Sequence, residues 1–353
     1  MKSNNNQVAK LSGQRDLSLD VLRIAAMVAV VVLHVSGQHC REAFPGAQWV
    51  IRITADALVR WCVPVFLMIS GALFLHPARR VSLRHLYGKN LLRVIVAYFV
   101  WSYVYSFSRI NAGPWHQSLN LLLAGPSHLW FLKTIAGLYI AVPVLRAITA
   151  RRDTARYFLV VAAVATFAVP FALALCRQHC HPTVVGALQR FCNTVNLQVT
   201  AGYSGYFVLG HYLYAYRPRR RWLIYALGLV ALGAIVGGTI AYSHQVGKPV
   251  NWFINYLTPT VLLLSVAVFV LGTSHAPRWH GRLARTVVTA SQLSFGVYLV
   301  HQLLLRTALQ HGISSGSLHP LLGIPLLTLA AVVASYAISW LLSKIPIVNR
   351  YII

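Results

Sequence analysis

The chain has 353 residues, of which 57% are apolar and only 10% are charged; an ordinary soluble domain carries about a quarter charged residues. This composition excludes a water-soluble globular core of the usual kind. The formal net charge is +26, from 31 Lys and Arg residues against five acidic ones, and in a soluble protein such a charge would indicate nucleic-acid binding. Here the basic residues cluster between apolar segments, which the positive-inside rule explains better. We therefore predict that the partner is a lipid bilayer and not a nucleic acid.

Apolar segments long enough to cross roughly 30 Å of hydrocarbon recur along the chain. Each is predicted to be helical, because a spanning segment has to satisfy its own backbone polar groups. The predicted spans are 17–37, 51–75, 91–110, 128–149, 157–175, 200–216, 222–242, 254–272, 287–307 and 321–343. The sequence thus predicts an all-α integral membrane protein with about ten transmembrane helices. Its parts are an N-terminal tail (1–16), one membrane domain (17–343) and a C-terminal tail (344–353).

The charges in the loops and tails predict the orientation of these helices. Nineteen Lys and Arg residues fall on the side that holds both termini, and only four fall on the opposite side: Arg41, Arg177, Arg190 and Lys248. Adding or removing one helix would destroy this asymmetry. Since Lys and Arg mark cytoplasmic loops, both termini are predicted to be cytoplasmic.

The first span carries two polar side chains that share one helix face. Arg23 and His34 are eleven residues apart, which is about 20° from three full turns and roughly 16 Å of rise. An Arg and a His on one stripe of a membrane helix are costly unless they face a polar interior. The alternative is an Arg that reaches the interface and a buried, hydrogen-bonded His. Asp20, three residues before Arg23, is predicted to hold that guanidinium in place.

This stripe and several later motifs resemble the bacterial acyltransferase-3 family of membrane O-acyltransferases. The resemblance rests on Asp20-Val-Leu-Arg23, ten further residues and His34, and it extends over nearly the full chain. The later motifs are Val63-Pro-Val-Phe66-Leu-Met-Ile-Ser70-Gly71-Ala-Leu-Phe74, Lys89-Asn-Leu-Leu-Arg93, His128-Leu-Trp130-Phe131-Leu132 and Phe295-Gly-Val-Tyr298-Leu-Val-His301. Each later motif is weak alone, but together and in this order they are specific. The family implies ten helices in the bacterial cytoplasmic (inner) membrane.

The resemblance implies a membrane O-acetyltransferase that uses acetyl-CoA as donor and modifies a hydroxyl of a cell-surface or lipid-linked glycan. Phosphates of the donor require cations at the cytoplasmic mouth, and Arg23, Lys89 and Arg93 fall there on the predicted topology. The pantetheine arm would bring the thioester towards His34. His34 would then act as general base on the sugar hydroxyl, although a covalent acetyl-His relay stays open as an alternative.

Four further side chains are candidates for the site, each with a structural alternative. Asp56 is predicted to orient His34, but an ion pair with Arg60 one turn away explains it equally well. His128 and Trp130 are predicted to line the acceptor entry, and Trp130 could equally be an interfacial anchor. His301 is the third substrate-binding candidate, with a buried structural histidine as the alternative.

The remaining motifs have less specific interpretations. Ser70-Gly71 is predicted to permit close helix packing, because no base stands near this serine in the sequence. The spacing in Cys176-Arg-Gln-His179-Cys180-His181 is similar to that of metal ligands, but no second knuckle follows it, so no metal site is predicted. Disulfides are possible among the cysteines predicted to be periplasmic, with three complete pairings open: Cys40, Cys176, Cys180 and Cys192.

The competing class of function is a transporter or polysaccharide exporter. Ten helices and a basic interior would suit it, and Pro143, Pro259 and Pro325 could interrupt helices as they do in transporters. No clear internal repeat supports this class. A succinyl donor in place of acetyl is a second alternative within the enzyme interpretation.

Overall fold

The computed structural model describes residues 15–77, 79, 81–110, 114–195, 202–275 and 279–353. The described residues form helices joined by turns and short loops. In chain order the helices are α1 (Leu17–Ser36), α2 (Ala47–Val59), α3 (Cys62–Phe74), α4 (Leu92–Ile110), α5 (Trp115–Ala124), α6 (Trp130–Thr149), α7 (Arg152–Ala162), α8 (Val169–His179), α9 (Pro182–Val195), α10 (Gly202–Ala215), α11 (Arg221–Val246), α12 (Pro259–Ser274), α13 (Gly281–Gln310), α14 (Pro320–Ser343) and α15 (Pro346–Tyr351). Of the predicted N-terminal tail, only residues 15 and 16 lie within the described part.

Eight helical segments among the described residues are apolar and long enough to cross a membrane. They are Leu17–Ser36, Ala47–Phe74, Leu83–Phe107, Ser127–Thr149, Arg152–Arg177, Arg221–Val246, Gly281–Gln310 and Pro320–Ser343, and each overlaps one predicted span. The other two predicted spans correspond to the shorter helices α10 and α12, of 14 and 16 residues. The protein is therefore an all-α integral membrane protein. The orientation of its termini and the division into tails and domain stay predictions.

Two helices lie where the sequence predicted loops. α5 has 10 residues and α9 has 14 residues, and most of their described side chains are exposed. Both are shorter than the roughly 20 residues that a spanning helix needs. A sequence search for apolar segments of spanning length therefore does not detect α5 and α9.

Helix α1 lies at the centre of the helix bundle. It packs against α2, α3, α12, α13 and α14, and Ala26, Met27 and Val31 on it are fully buried. Its start is fixed by Asp16, whose carboxylate accepts a hydrogen bond of 2.9 Å from the Ser18 backbone N–H, as an N-cap does. The polar stripe of α1 is thus held in the interior of the bundle by apolar packing on the other faces of the helix.

Glycine allows α3 and α10 to approach each other closely. A Cβ atom added to Gly71 would overlap the backbone of Phe207, and one added to Gly210 would overlap the backbone of Met68. The Ser70 hydroxyl donates a hydrogen bond of 3.0 Å to the Phe66 carbonyl within its own helix. The prediction that Ser70-Gly71 serves close helix packing is confirmed.

A proline divides the second apolar segment into α2 and α3. Pro64 has no backbone N–H, and its ring would clash with the carbonyl of Arg60 in a continuous helix; α2 indeed ends at Val59 and α3 begins at Cys62. By contrast, Pro143 and Pro325 lie inside continuous helices, and Pro259 occupies the first turn of α12. These three prolines therefore do not produce the broken helices expected of a transporter.

Candidate active site

A cavity of about 1770 Å³ extends along α1 from Arg15 and Arg23 to His34. It is larger than the 300–1,000 Å³ typical of a site for one drug-sized ligand. Side chains of α1, α3, α6 and α13 contribute to its wall, among them Phe66, Phe131 and Phe295. Arg23 and His34, which the sequence places on one helix face, thus line the same cavity at different depths.

The end of the cavity near the start of α1 is lined by cations that are held by a small polar network. Asp20 accepts hydrogen bonds of 2.7 and 2.9 Å from Arg15 and one of 2.6 Å from the Ser291 hydroxyl. Arg23 lies farther from that carboxylate, at 3.9 Å, and donates a hydrogen bond of 3.3 Å to Ser291. Asp20 is therefore primarily the partner of Arg15 and only secondarily that of Arg23, which the sequence predicted as its main partner.

Arg93 lines this cationic end from α4. Its guanidinium donates to the backbone oxygen of Ile353 and lies 5.2 Å from the centre of the Phe295 ring. Its Nε is buried without a hydrogen-bond partner among the described residues, and the described Asp and Glu side chains form no ion pair with it. Arg93 therefore retains a hydrogen-bond donor for an anionic ligand. Arg79 and His85, which the sequence did not single out, line the same end of the cavity.

Lys89, which the sequence predicted to bind the donor, does not line the cavity. Its side chain is exposed, and Asn90 lines the cavity in its place. The segment Leu86–Leu91 is a π-helix, in which the wider turn changes which residue faces inward. The predicted phosphate contact of Lys89 therefore has no support in the structure.

Three histidine side chains meet at the other end of the cavity. The centre of the His34 ring lies 5.2 Å from that of His301 and 6.4 Å from that of His128, and the latter two are 6.0 Å apart. His34 is partly exposed and lines the cavity, as does His128. His301 is completely buried behind them. Helices α1 and α13 and the turn before α6 thus bring together three rings that are far apart in the sequence.

The histidines have ring nitrogens that the described residues leave without partners. Neither ring nitrogen of His128 has a hydrogen-bond partner, although this side chain is only 4% exposed. Nδ1 of His301 lies 3.1 Å from the Val297 carbonyl, whereas its Nε2 has no partner. A buried polar group without a partner is costly, so this arrangement suits a ligand or a proton-transfer step.

Asp56 forms an ion pair with Arg60, which was the structural alternative to its predicted role. Its carboxylate lies 2.6 Å from Nη2 and 2.7 Å from Nε of Arg60. The imidazole rings of His301 and His128 lie beside His34. The i, i+4 spacing on α2 explains the pair, and the predicted orienting role of Asp56 has no support in the structure.

Trp130 lies in an aromatic wall near His34. Its ring stacks on that of Tyr256, with 5.7 Å between the centres and 28° between the planes, and lies 5.4 Å from the Tyr203 ring. Trp130 and Tyr256 both line the cavity. The sequence identified Trp130 but not the two tyrosines, because α10 and the segment before α12 approach Trp130 only in the folded protein.

All five cysteines are free thiols in the structure. Burial raises the pKa of the Cys40 thiol to about 11, and the nearby Asp56 carboxylate adds to the effect. Cys40 lies in the segment between α1 and α2, Cys176 and Cys180 are near the end of α8, and Cys192 is on α9. The structure thus contains none of the disulfide pairings that the sequence left open.

Comparison with known proteins agrees with this geometry. A family model described as an acyltransferase domain, that of the acyltransferase-3 family, matches residues 16–344. No curated protein and no solved structure gives a significant match. The matched segment holds Arg23, Arg93, the three histidines and the aromatic wall, and of the residues that line the cavity only Arg15 and Asn349 lie outside it. The chain belongs to the acyltransferase-3 family and is a multi-pass membrane acyltransferase.

Proposed function

We propose that the protein transfers an acetyl group from cytoplasmic acetyl-CoA to a hydroxyl of a cell-surface or lipid-linked glycan, in the bacterial cytoplasmic membrane. The observation that carries this proposal is that Arg23 and His34 line one continuous cavity. In such a cavity Arg23 can bind the phosphates of the donor, while His34 acts as a base away from bulk water. The volume of the cavity also supports the presence of two substrates at once.

The donor would bind with its phosphates at the cationic end. Arg15, Arg23, Arg79 and Arg93 line that end, and Arg is suited to bidentate contact with phosphate. The buried Nε of Arg93 supplies a donor that is otherwise without a partner in the described residues. The pantetheine arm then follows α1, because roughly 16 Å of helix separates Arg23 from His34.

The chemical step takes place at His34. The acceptor hydroxyl oxygen attacks the thioester carbonyl carbon, while a ring nitrogen of His34 removes the hydroxyl proton. The C–S bond then breaks, and the proton passes from His34 to the departing thiolate, so that the products are the acetyl ester and CoA. A general base of this kind contributes roughly 10²–10⁴-fold to the rate. Positioning of the two substrates in the cavity supplies much of the rest.

The acceptor would reach His34 from the opposite end, past His128 and Trp130. Both line the cavity, and the free ring nitrogens of His128 can hydrogen-bond a sugar hydroxyl. Trp130 and Tyr256 present a stacked aromatic surface of the type on which a sugar ring can pack. On the predicted topology this end is periplasmic, which agrees with an exported or lipid-linked glycan as acceptor.

The test is mass spectrometry of surface glycans from cells that carry wild-type protein, His34→Ala or His116→Ala at equal expression. His116 is an exposed histidine on α5, outside the cavity, and serves as the matched control. We expect O-acetyl groups in wild-type and His116→Ala cells and their loss in His34→Ala cells. Equal acetyl content in all three would refute the proposal.

The exporter alternative makes a different prediction for purified protein. A transporter would neither bind radiolabelled acetyl-CoA nor release free CoA from it, whereas the proposed enzyme does both. Competition between acetyl-CoA and succinyl-CoA in the same assay identifies the donor, and we expect acetyl-CoA to be preferred.

A further inference from the structure

His301 presents a buried hydrogen-bond acceptor that the proposed mechanism does not yet use. Its Nδ1 lies 3.1 Å from the Val297 carbonyl oxygen. Since a carbonyl oxygen only accepts, the proton of the neutral ring is on Nδ1, and Nε2 is left as a bare acceptor. This Nε2 is buried and has no partner among the described residues.

Of the aromatic rings that surround His301, the ring of His34 is the nearest. The centres of the two rings are 5.2 Å apart and their planes are inclined by 39°. The opposite edge of His301 is held by the backbone of its own helix, α13. The ring is thus held at Nδ1 by its own helix and lies beside the ring of His34.

No carboxylate is available to orient His34 instead. The chain has five acidic residues, and all five lie in the described part. Asp16 and Asp20 are at the cationic end of the cavity, Asp56 is bound to Arg60, Glu42 is exposed between α1 and α2, and Asp153 is in the first turn of α7. In other enzymes a carboxylate often orients the catalytic histidine. Here a side chain of another type would have to orient His34.

We infer that His301 is a positioning residue that fixes the tautomer of His34, and this inference rests on the proposed function. During catalysis one ring N–H of His34 donates a hydrogen bond to Nε2 of His301, which has no partner in the structure, so the other ring nitrogen of His34 is unprotonated and faces the cavity. When that nitrogen takes the hydroxyl proton, His34 carries both protons, and His301 accepts a hydrogen bond from the resulting cation. The sequence predicted that His301 contacts the acceptor. On the present inference it acts through His34 instead.

Three substitutions of His301 separate this role from simple packing. In His301→Gln the amide oxygen reaches approximately the position of Nε2, whereas in His301→Asn the shorter amide reaches only that of Nδ1. His301→Phe keeps the ring volume and removes the acceptor. We expect kcat to fall roughly 10²-fold in the Phe and Asn variants, which is the lower end of what a general base contributes, while the KM for acetyl-CoA is unchanged. The Gln variant should retain most of the wild-type kcat.

A packing role would produce the opposite order, because an apolar aromatic ring fills a buried site better than an amide does. The inference is overturned if the Phe variant is as active as the Gln variant or more active. Thermal unfolding midpoints and acetyl-CoA binding identify folded protein, and if the Phe variant does not fold, the comparison of Gln with Asn decides the question. Wild type and His34→Ala are assayed in parallel. Full activity of His34→Ala refutes the proposed function itself, whereas its inactivity beside an active His301→Phe refutes only the role of His301.

Discussion

The pair formed by Asp56 and Arg60 allows a quantitative test of what Asp56 does. The two side chains are 6% and 18% exposed and lie 2.6 Å apart at their closest atoms. Removing one partner of a buried ion pair leaves the other charge without compensation and costs about 3–5 kcal/mol. We therefore expect Asp56→Asn to lower the stability of the protein by about that amount.

The double variant Asp56→Asn/Arg60→Gln removes both charges. Because no uncompensated charge is then left, we expect it to be no less stable than either single variant, which is strong non-additivity in a double-mutant cycle. The assay is the thermal unfolding midpoint of each purified variant in lipid nanodiscs. Turnover per folded molecule is measured for Asp56→Asn at a temperature below its midpoint.

The alternative, that Asp56 orients His34, predicts a different pattern. In that case Asp56→Asn would retain its stability and lose kcat, as expected for a substitution that affects only the orientation of the base. A stable and inactive Asp56→Asn variant would refute the structural role assigned to the pair. A destabilised variant that keeps its turnover per folded molecule would support it.

Three further predictions concern the cavity, the helix packing and the partly buried thiol of Cys40. Arg23→Ala should raise the KM for acetyl-CoA roughly 10- to 100-fold, because it removes a charged hydrogen bond worth about 1.5–3 kcal/mol. Lys89→Ala is the control and should have the wild-type KM, because the Lys89 side chain is exposed and outside the cavity. Gly210→Ala should destabilise the protein by about 1–3 kcal/mol, because the added Cβ overlaps the backbone of Met68. Gly233→Ala is the control and should leave the stability unchanged, because nothing lies within 4 Å of the added Cβ. A variant in which the other four cysteines are replaced leaves Cys40 as the single thiol. At pH 8 it should react with maleimide roughly 100-fold more slowly than an ordinary thiol does, because the thiolate is the reactive form and the pKa of Cys40 is raised to about 11.

Each of these predictions can fail clearly. Equal effects of Arg23→Ala and Lys89→Ala on KM would show that the donor does not bind at the cationic end of the cavity. Equal unfolding midpoints for the two glycine variants would contradict the close contact between α3 and α10. The reaction rate of Cys40 should rise with pH up to about 11 and become that of an ordinary thiol in denaturant; fast labelling at pH 8 in the native protein would exclude burial of this thiol.

The features that the sequence predicted correctly are mostly local. Arg23 and His34 share one face of α1 because eleven residues of a helix return nearly to the same face, and this follows from the spacing alone; the structure shows that this face lines a cavity. The eight long spans follow from apolar length, and the packing role of Ser70-Gly71 follows from the size of the residues. Each of these properties is determined by neighbours within a few helical turns.

The features that the sequence missed depend on irregular helices or on distant contacts. The predicted topology placed Lys89 near the cationic end but could not show which way its side chain faces, and the π-helix at Leu86–Leu91 leaves Lys89 exposed while Asn90 lines the cavity. Ser291 joins the Asp20 network from α13, some 270 residues away along the chain. Such contacts arise only when the helices pack, so no local pattern indicates them.

The most direct test of the central claim compares acetyl-CoA binding with acetyl transfer for Arg23→Ala and His34→Ala in purified protein. The cavity joins a binding end to a reactive end, so the two substitutions should have different effects. We expect Arg23→Ala to bind the donor more weakly, and His34→Ala to bind it with the wild-type Kd while transferring no acetyl group. Wild-type transfer by His34→Ala, or unchanged donor binding by Arg23→Ala, would contradict the account.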